Sequence, residues 1–471
     1  MKEYELGHVT QKKEFILYFI ILVATIVAMS SLLEELNQII ASTVFIALVV
    51  GTLMFWRFRV GIAFIGIVIL LVTKTIDLTH AVEFMSLDVI LFLMGMMVIV
   101  GVLRRSGFFR LFLGIGLKYS NFNPYLLFPF ILVLSAVMAA MVDEVTSILF
   151  ITALVLDFCS YFKINPVRLT ISVIFATNIG SSWSVLGNPI GILIALRSGL
   201  TFEDFMMTAL PVGLIAFIIL MPCIYFWMRK DILIFQKRLV NYTEKRRQKF
   251  LNDLLKIDNP KLVLGCTIIF FGTILLLMLH HRMEAALGLQ HNTLLVGSSL
   301  FGAGIAMLWQ RDIARDLIRK DVDWWTLVFF MFLFAKAGAL KYVGLTDLVG
   351  QALIQFTGEG QLIFLLMFIL WFSAITSAAA DNVVVIATLI PVIQYVTTQM
   401  NSDLLWWALL FGGCYGGNLT MVGSTANIVA LGMLEEKEHQ HMTLTYWMKF
   451  GIIGFAIPMF VGTIALLILN P

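Results

Sequence analysis

Charge is scarce in this chain: Asp, Glu, Lys and Arg make up 13% of its 471 residues, about half the share usual for a soluble globular protein. With 60% of the residues drawn from AVILMFWYC, there are too few polar side chains to cover a water-soluble particle of this size. A soluble enzyme is thereby excluded, and the solvent is lipid. Cysteine is also sparse. Cys159, Cys223, Cys266 and Cys414 stand singly inside apolar runs, which excludes both a disulfide framework and a thiolate metal centre. The seven histidines all fall outside the predicted spans, so an enzyme embedded at mid-depth has no imidazole to work with. His280, His281, His439 and His441 are expected in loops without metal-ligand company. Nothing in the composition suggests a nucleic-acid partner. The first apolar run, residues 15–33, is followed by Glu34 and Glu35 rather than by small residues, so no cleavable signal peptide is expected.

What is present is a series of apolar runs. Nine uninterrupted spans lie near 15–33, 38–56, 60–74, 88–103, 210–228, 261–279, 293–309, 325–341 and 445–468, each close to the length needed to cross a bilayer. Four longer stretches, 125–160, 167–199, 361–398 and 404–435, are interrupted midway by Gly, Asp, Asn, Ser or Thr. Backbone that leaves a helix inside hydrocarbon must be satisfied by protein, water or a bound ion, so four such interruptions predict a polar cavity at mid-depth.

Orientation follows from Lys and Arg, which favour the cytoplasmic side. If the basic loop 229–261 is inside, and 125–160 and 361–398 are re-entrant hairpins, then 27 of the 32 basic residues fall inside. Full crossings in place of the hairpins put Lys163 and Arg168 on the opposite face from that loop. The expected fold is therefore an all-α polytopic membrane protein with about eleven crossings and two hairpins. Its N-terminus is cytoplasmic and its C-terminus outside, in the cell membrane. Trp324, Trp325, Trp406 and Trp407 are expected in the interfacial belt. Lys336 is the only base well inside a span, where it could pair with a carboxylate or attract an anion.

The chain also repeats itself at an offset of about 237 residues. Gly101-Val-Leu-Arg-Arg-Ser-Gly107 matches Gly338-Ala-Leu-Lys-Tyr-Val-Gly344, and Met141-Val-Asp143-Glu-Val matches Ala379-Ala-Asp381-Asn-Val. Asn178-Ile-Gly180 through Leu186-Gly187 matches Gly416-Gly-Asn418 through Val422-Gly423. An odd number of crossings per half inverts the second copy. Inverted repeats with broken helices at corresponding positions indicate a secondary transporter whose site lies where the breaks meet. A channel would call for a continuous pore rather than paired tips. The expected segments are an N-terminal tail and extra helix (1–37), a first repeat (38–228), a basic linker (229–260) and a second repeat (261–471).

The interruptions carry the candidate chemistry. The first hairpin tip offers Asp143, Glu144, Thr146 and Ser147, and the second Asp381 and Asn382. No Lys or Arg lies between Lys341 and Lys437, so no base near in sequence neutralises Asp381. Either aspartate could merely cap the following half-helix, but capping is compatible with holding a proton or a cation. The first break contributes Asn178, Gly187 and Asn188, and the second Asn418, Thr420, Ser424, Thr425 and Asn427. Their oxygens are hard ligands suited to Na⁺ or to hydrogen-bonding a small oxyanion. Possible Na⁺ positions are Asp143 with Asn188 and Asp381 with Asn427. No cofactor is expected beyond a coupling ion, H⁺ or Na⁺.

A hairpin tip bearing Asp381-Asn382, followed about 35 residues on by Gly416-Gly-Asn-Leu-Thr-Met-Val-Gly-Ser-Thr-Ala-Asn427, resembles the arsenite permease and sodium–proton antiporter (ArsB/NhaD-type) family. That family belongs to the ion transporter superfamily, which also holds the divalent anion/sodium symporters. The resemblance covers about residues 38–468 and implies a scaffold domain, a mobile elevator-type transport domain and a homodimer. It implies H⁺- or Na⁺-coupled movement of a small anion, a metalloid oxyacid or a carboxylate. A Na⁺(Li⁺)/H⁺ antiporter is the alternative. The first half departs from the pattern: Asp143-Glu144 replaces Asp-Asn at the tip, and Gly187-Asn188-Pro189 replaces Gly-Asp-Pro in the break. One acid is gained and one lost, as expected if the charge of the site is relocated.

Overall fold

The structure is a computed structural model that describes residues 2–240, 242–257, 259–357, 362–400 and 402–470, with side chains from residue 13 on, Thr357 apart. Met1, Gln361 and Pro471, which bound expected segments, lie outside the described residues. All regular secondary structure among the described residues is helical. Eleven helices among them are long and apolar enough to span a bilayer. The total agrees with the expected number of crossings, but its membership differs. It counts both arms of both hairpins (Pro124–Val142, Glu144–Phe162, Leu362–Ala379 and Asn382–Met400). Arg59–Val72 has only 14 residues, and Thr293–Trp309 and the pieces of the broken helices are likewise shorter. Hairpin arms of 18 or 19 residues reach about 27–28 Å at 1.5 Å per residue, longer than a half-depth re-entrant element requires.

The chain divides into two compact units. The first takes in Met1–Ile90, Asp323–Gln361 and Ala387–Ser402. Within it Lys336, on the helix Trp324–Tyr342, is 1% exposed and donates to the carbonyl of Ala63 at 2.8 Å. A backbone carbonyl, rather than a carboxylate, is thus the partner of this buried amine. Gly66 lets the amine in, because a Cβ there would stand 2.7 Å from Nζ. Trp324 and Trp325 are exposed, as an interfacial position predicts.

The second unit takes in Leu91–Val322, Leu362–Ile386 and Asp403–Pro471. It holds both hairpin tips and both broken helices. Here Trp406 and Trp407 depart from expectation. Both are buried, Trp407 edge-on to Phe205 at 5.0 Å, because every residue from Leu405 to Gly416 is enclosed by protein. A tryptophan pair at the edge of an apolar run has the same sequence signature whether lipid headgroups or helices surround it.

Ion pairs and hydrogen bonds fix which loops share a side of this unit. Arg104 and Arg105 both bind Asp321, the latter at 2.5 Å. Arg168 pairs with Asp231 at 3.1 Å, Arg110 donates to the Asp253 carbonyl at 3.2 Å, and the Tyr161 hydroxyl donates to the Arg246 carbonyl at 2.8 Å. The stretches on either side of the first hairpin, 104–124 and 161–168, therefore both meet the basic linker. The hairpin goes in and comes back, and a single crossing is excluded. At the other end, Arg282 pairs with Glu203 at 2.7 Å.

The broken helices are Val167–Gly180 with Pro189–Ser198, and Leu404–Gly416 with Thr425–Glu438. Each break is eight residues long. Glycine is required where each first half-helix ends: a Cβ on Gly180 would lie 2.2 Å from the Ala136 carbonyl oxygen, and one on Gly416 would lie 2.4 Å from that of Ala374. These matched contacts set the repeat register at 238 residues in the hairpins and 236 in the broken helices. The equivalent of Gly180 is therefore Gly416 and that of Asn178 is Cys414, which shifts the sequence alignment of Asn178 by two residues. Gly180→Ala or Gly416→Ala should lower stability by about 1–3 kcal/mol through overpacking, read as a drop in the detergent unfolding midpoint. Gly304→Ala, with open space around its Cα, should not. Equal midpoints for all three would refute the close approach.

Candidate functional site

Each hairpin tip presents an aspartate at the start of its second arm. Asp143 accepts the backbone N–H groups of Val145 and Thr146 at 2.8 and 3.1 Å, satisfying donors that the helix itself leaves free. It does so at φ 108°, a left-handed backbone that an L residue seldom adopts and that costs energy. Asp381 accepts the N–H of Val383 at 3.0 Å with Oδ1, and its Oδ2 takes the hydroxyl of Thr425. That bond ties the second hairpin to the second half of its broken helix.

The next residue on each tip reaches across to the other. Asn382 Nδ2 donates to Glu144 Oε1 at 3.4 Å, while Glu144 Oε2 has no hydrogen-bond partner among the described residues. Glu144 is 1% exposed and Asp381 3%. Neither forms an ion pair with a described base. Two buried carboxylates without a base are costly as anions.

Three asparagines join the two breaks. The Asn178 amide donates to both Asn418 Oδ1 and Asn427 Oδ1, each at 2.9 Å. Asn427 in turn donates to the carbonyls of Gly417 and Thr420 at 2.7 and 2.9 Å, and Asn418 donates to that of Gly454 at 3.0 Å. The two Asn427 bonds satisfy carbonyls freed by the second break, as a helix opened in lipid requires. Asn178 Oδ1 itself has no donor among the described residues. Asn188 caps the half-helix Pro189–Ser198 by accepting from Gly191 at 2.7 Å, and donates to Ser181 Oγ and Cys414 Sγ. Ser424 caps Thr425–Glu438 through Ala426 at 3.1 Å. Thr420 bonds the Ala378 carbonyl at 2.5 Å, and Ser184 bonds that of Ala140. Both bonds anchor a break to its own hairpin.

Of the sequence candidates, seven fall into three hydrogen-bonded groups: Glu144 with Asn382, Asp381 with Thr425, and Asn178 with Asn418 and Asn427. Ser147 turns back to the Ser135 carbonyl at 3.5 Å, Thr146 contributes a backbone N–H to Asp143, and Gly187 gives the first break room against the Ser181 carbonyl. Sequence reasoning missed Ser181, Cys414 and Tyr415, whose hydroxyl accepts from Ser182 at 3.3 Å. Their only signal was position beside a break. The view that His280 and His281 lie in a loop without ligand company also needs correction: both belong to the helix Pro260–Leu287, and His281 stands with Glu284 and His291, their ligand atoms within 4.8 Å of one another.

A helical membrane protein whose two repeats place broken helices and hairpin tips around buried acids and amides is a transporter. The chain belongs to the CitMHS citrate transporter family, whose profile matches residues 45–412. It is 32% identical over 356 residues to an uncharacterized transporter of Mycobacterium bovis, covering 74% of this chain and 78% of that one. It is 30% identical to a 46 kDa membrane protein of Mycobacterium leprae, covering 79% and 82%, and 25% identical to the human P protein, covering 80% and 52%. Among solved structures it resembles the YdaH transporter of Alcanivorax borkumensis, with a TM-score of 0.50 and 13% identity over 82% of this chain and 86% of that one. That likeness concerns the fold.

Replacing Asn178 by Ala removes the donor shared by Asn418 and Asn427. Stability should fall by about 1–3 kcal/mol for the buried acceptors left unpaired, measured by unfolding in detergent. A variant as stable as the parent would show that the amide cluster does not hold the breaks together.

Proposed function

We propose that this protein is an H⁺- or Na⁺-coupled secondary transporter that moves a small anion, with a carboxylate foremost and a metalloid oxyacid next, by alternating access. The observation that carries the reading is the buried pair Glu144 and Asp381, bound to Asn382 and Thr425 and without a basic partner among the described residues. An anion cannot approach two ionised carboxylates in a low-dielectric site unless they are neutralised first. A proton or Na⁺ on the acids makes anion entry favourable, and that dependence is coupling. Amide donors and the starts of four half-helices supply weak positive ends for an anion once the acids are silent. The family's description as citrate transporters supports putting carboxylates first among the candidates. The basic residues favour a cytoplasmic N-terminus and an external C-terminus. A homodimer with an elevator-type motion follows from the resemblance drawn above.

The second reading is a Na⁺(Li⁺)/H⁺ antiporter. Its support is the same missing base: a site made of acids and neutral oxygens suits cation exchange without any anion.

Purified protein in liposomes distinguishes the two. Citrate and other di- and tricarboxylates should be taken up under an imposed pH or Na⁺ gradient, and carboxylates should raise the unfolding midpoint only together with the coupling cation. Glu144→Gln and Asp381→Asn should each reduce cation-dependent uptake about tenfold or more, the scale of a typical coupling energy. Stabilisation by Na⁺ with no anion effect at any pH overturns the favoured reading and supports the antiporter. Restoration of uptake in Glu144→Gln by adding Asn188→Asp would support a relocated charge, and its failure would exclude one.

A further inference from the structure

His281 and Glu284 lie three residues apart on the helix Pro260–Leu287 and so share a face. His291, in the turn that follows, folds back over them, with Nδ1 3.8 Å from Glu284 Oε2 and its ring 5.8 Å from that of His281. The ligand atoms of all three lie within 4.8 Å of one another. None of these residues belongs to the transport site. His281 and Glu284 sit near the far end of a 28-residue helix, about 32–36 Å along its axis from the basic linker.

Glu284 is the built part of this cluster. It is 3% exposed, and its two oxygens accept the backbone N–H groups of Asn292 at 3.1 Å and Leu294 at 2.7 Å. Those bonds fix the carboxylate plane, as the outer-shell partners of a metal ligand do, and leave lone pairs on the side where the imidazoles stand. Both histidines are exposed, so their rings can rotate without disturbing packing. Four-coordinate Zn²⁺ holds N and O ligands at about 2.0–2.2 Å, which sets neighbouring ligand atoms about 3.3–3.5 Å apart. The His291–Glu284 distance is already close to that, and His281 must move by little more than 1 Å.

We propose that His281, Glu284 and His291 form a site for a first-row divalent transition metal of the Zn²⁺ class, with water completing the coordination. Two imidazoles and one carboxylate suit Zn²⁺, Co²⁺, Ni²⁺ and Cu²⁺ and disfavour Mg²⁺ and Ca²⁺. The bound ion fastens the C-terminal end of Pro260–Leu287 to the turn leading into Thr293–Trp309.

The test uses the full-length protein in detergent with Co²⁺ and Zn²⁺ as probes, and is independent of transport. One equivalent of Co²⁺ should give the visible absorption of low-symmetry, four-coordinate cobalt. Zn²⁺ should displace it and raise the unfolding midpoint. His281→Gln and His291→Gln should each weaken binding on the order of 100-fold, with their metal-free midpoints checking that the fold is kept. His441→Gln should not, although His441 also faces an acid, Glu435, at 3.0 Å. Absence of the cobalt spectrum in the parent, or parental affinity in either His281→Gln or His291→Gln, overturns the proposal.

Discussion

The constraint on which this structure depends is that a helix opened in lipid exposes carbonyls and N–H groups that no solvent there can satisfy. The fold meets it by opening helices in two places and lining each opening with the protein's own short polar side chains. Asn188 and Ser424 take the N–H groups at the restart of each broken helix. Asn427 takes two carbonyls released by the second break. Asp143 and Asp381 do the same for the hairpin arms. The groups that make the breaks tolerable are also those able to hold an ion.

Much of this was legible because lipid makes polar residues conspicuous. The breaks, the hairpin tips and the repeat could all be read from glycines and amides where Leu or Ile would be expected, and the Arg168–Asp231 pair with the Arg110 bond to the Asp253 carbonyl puts both ends of the first hairpin on one side of the second unit. What the sequence withheld was partnership across long separations. Asn178 meets Asn418 and Asn427 from 240 and 249 residues away, a pairing that periodicity does not encode. The burial of Trp406 and Trp407 was hidden for a related reason: apolar and interfacial faces are told apart by what packs on them. The histidine cluster escaped because His291 belongs to no apolar segment and gains its neighbours only when the chain turns back.

The two-residue change of register between hairpin and broken helix has a further consequence. In the hairpins, offset by 238, Glu144 and Asn382 are equivalent positions of the two repeats, and they are hydrogen-bonded to each other. Equivalent residues of an inverted pair can touch only close to the axis that relates the halves. In the inverted arrangement that the sequence repeat predicts, the Glu144–Asn382 contact lies close to that axis within the second unit.

On such an axis, identical residues would face their own copies. Two glutamates would set one carboxylate against another, a repulsion that persists unless they share a proton. Two asparagines would pair as neutral amides and leave the axis without charge. This chain has one of each, so the amide N–H meets the carboxylate and a single acid remains on the axis, with one oxygen unpaired among the described residues. The symmetry of the scaffold is thus broken where the charge is greatest. Asp381, held by Thr425, serves one repeat, whereas Glu144 belongs to the first repeat but is steadied by the second. Any movement that separates the hairpin tips must break the Asn382–Glu144 bond and leave Glu144 to water, a proton or an ion. On the proposed function, a rearrangement of the tips and a change in what Glu144 holds are then one event, the linkage that secondary transport requires.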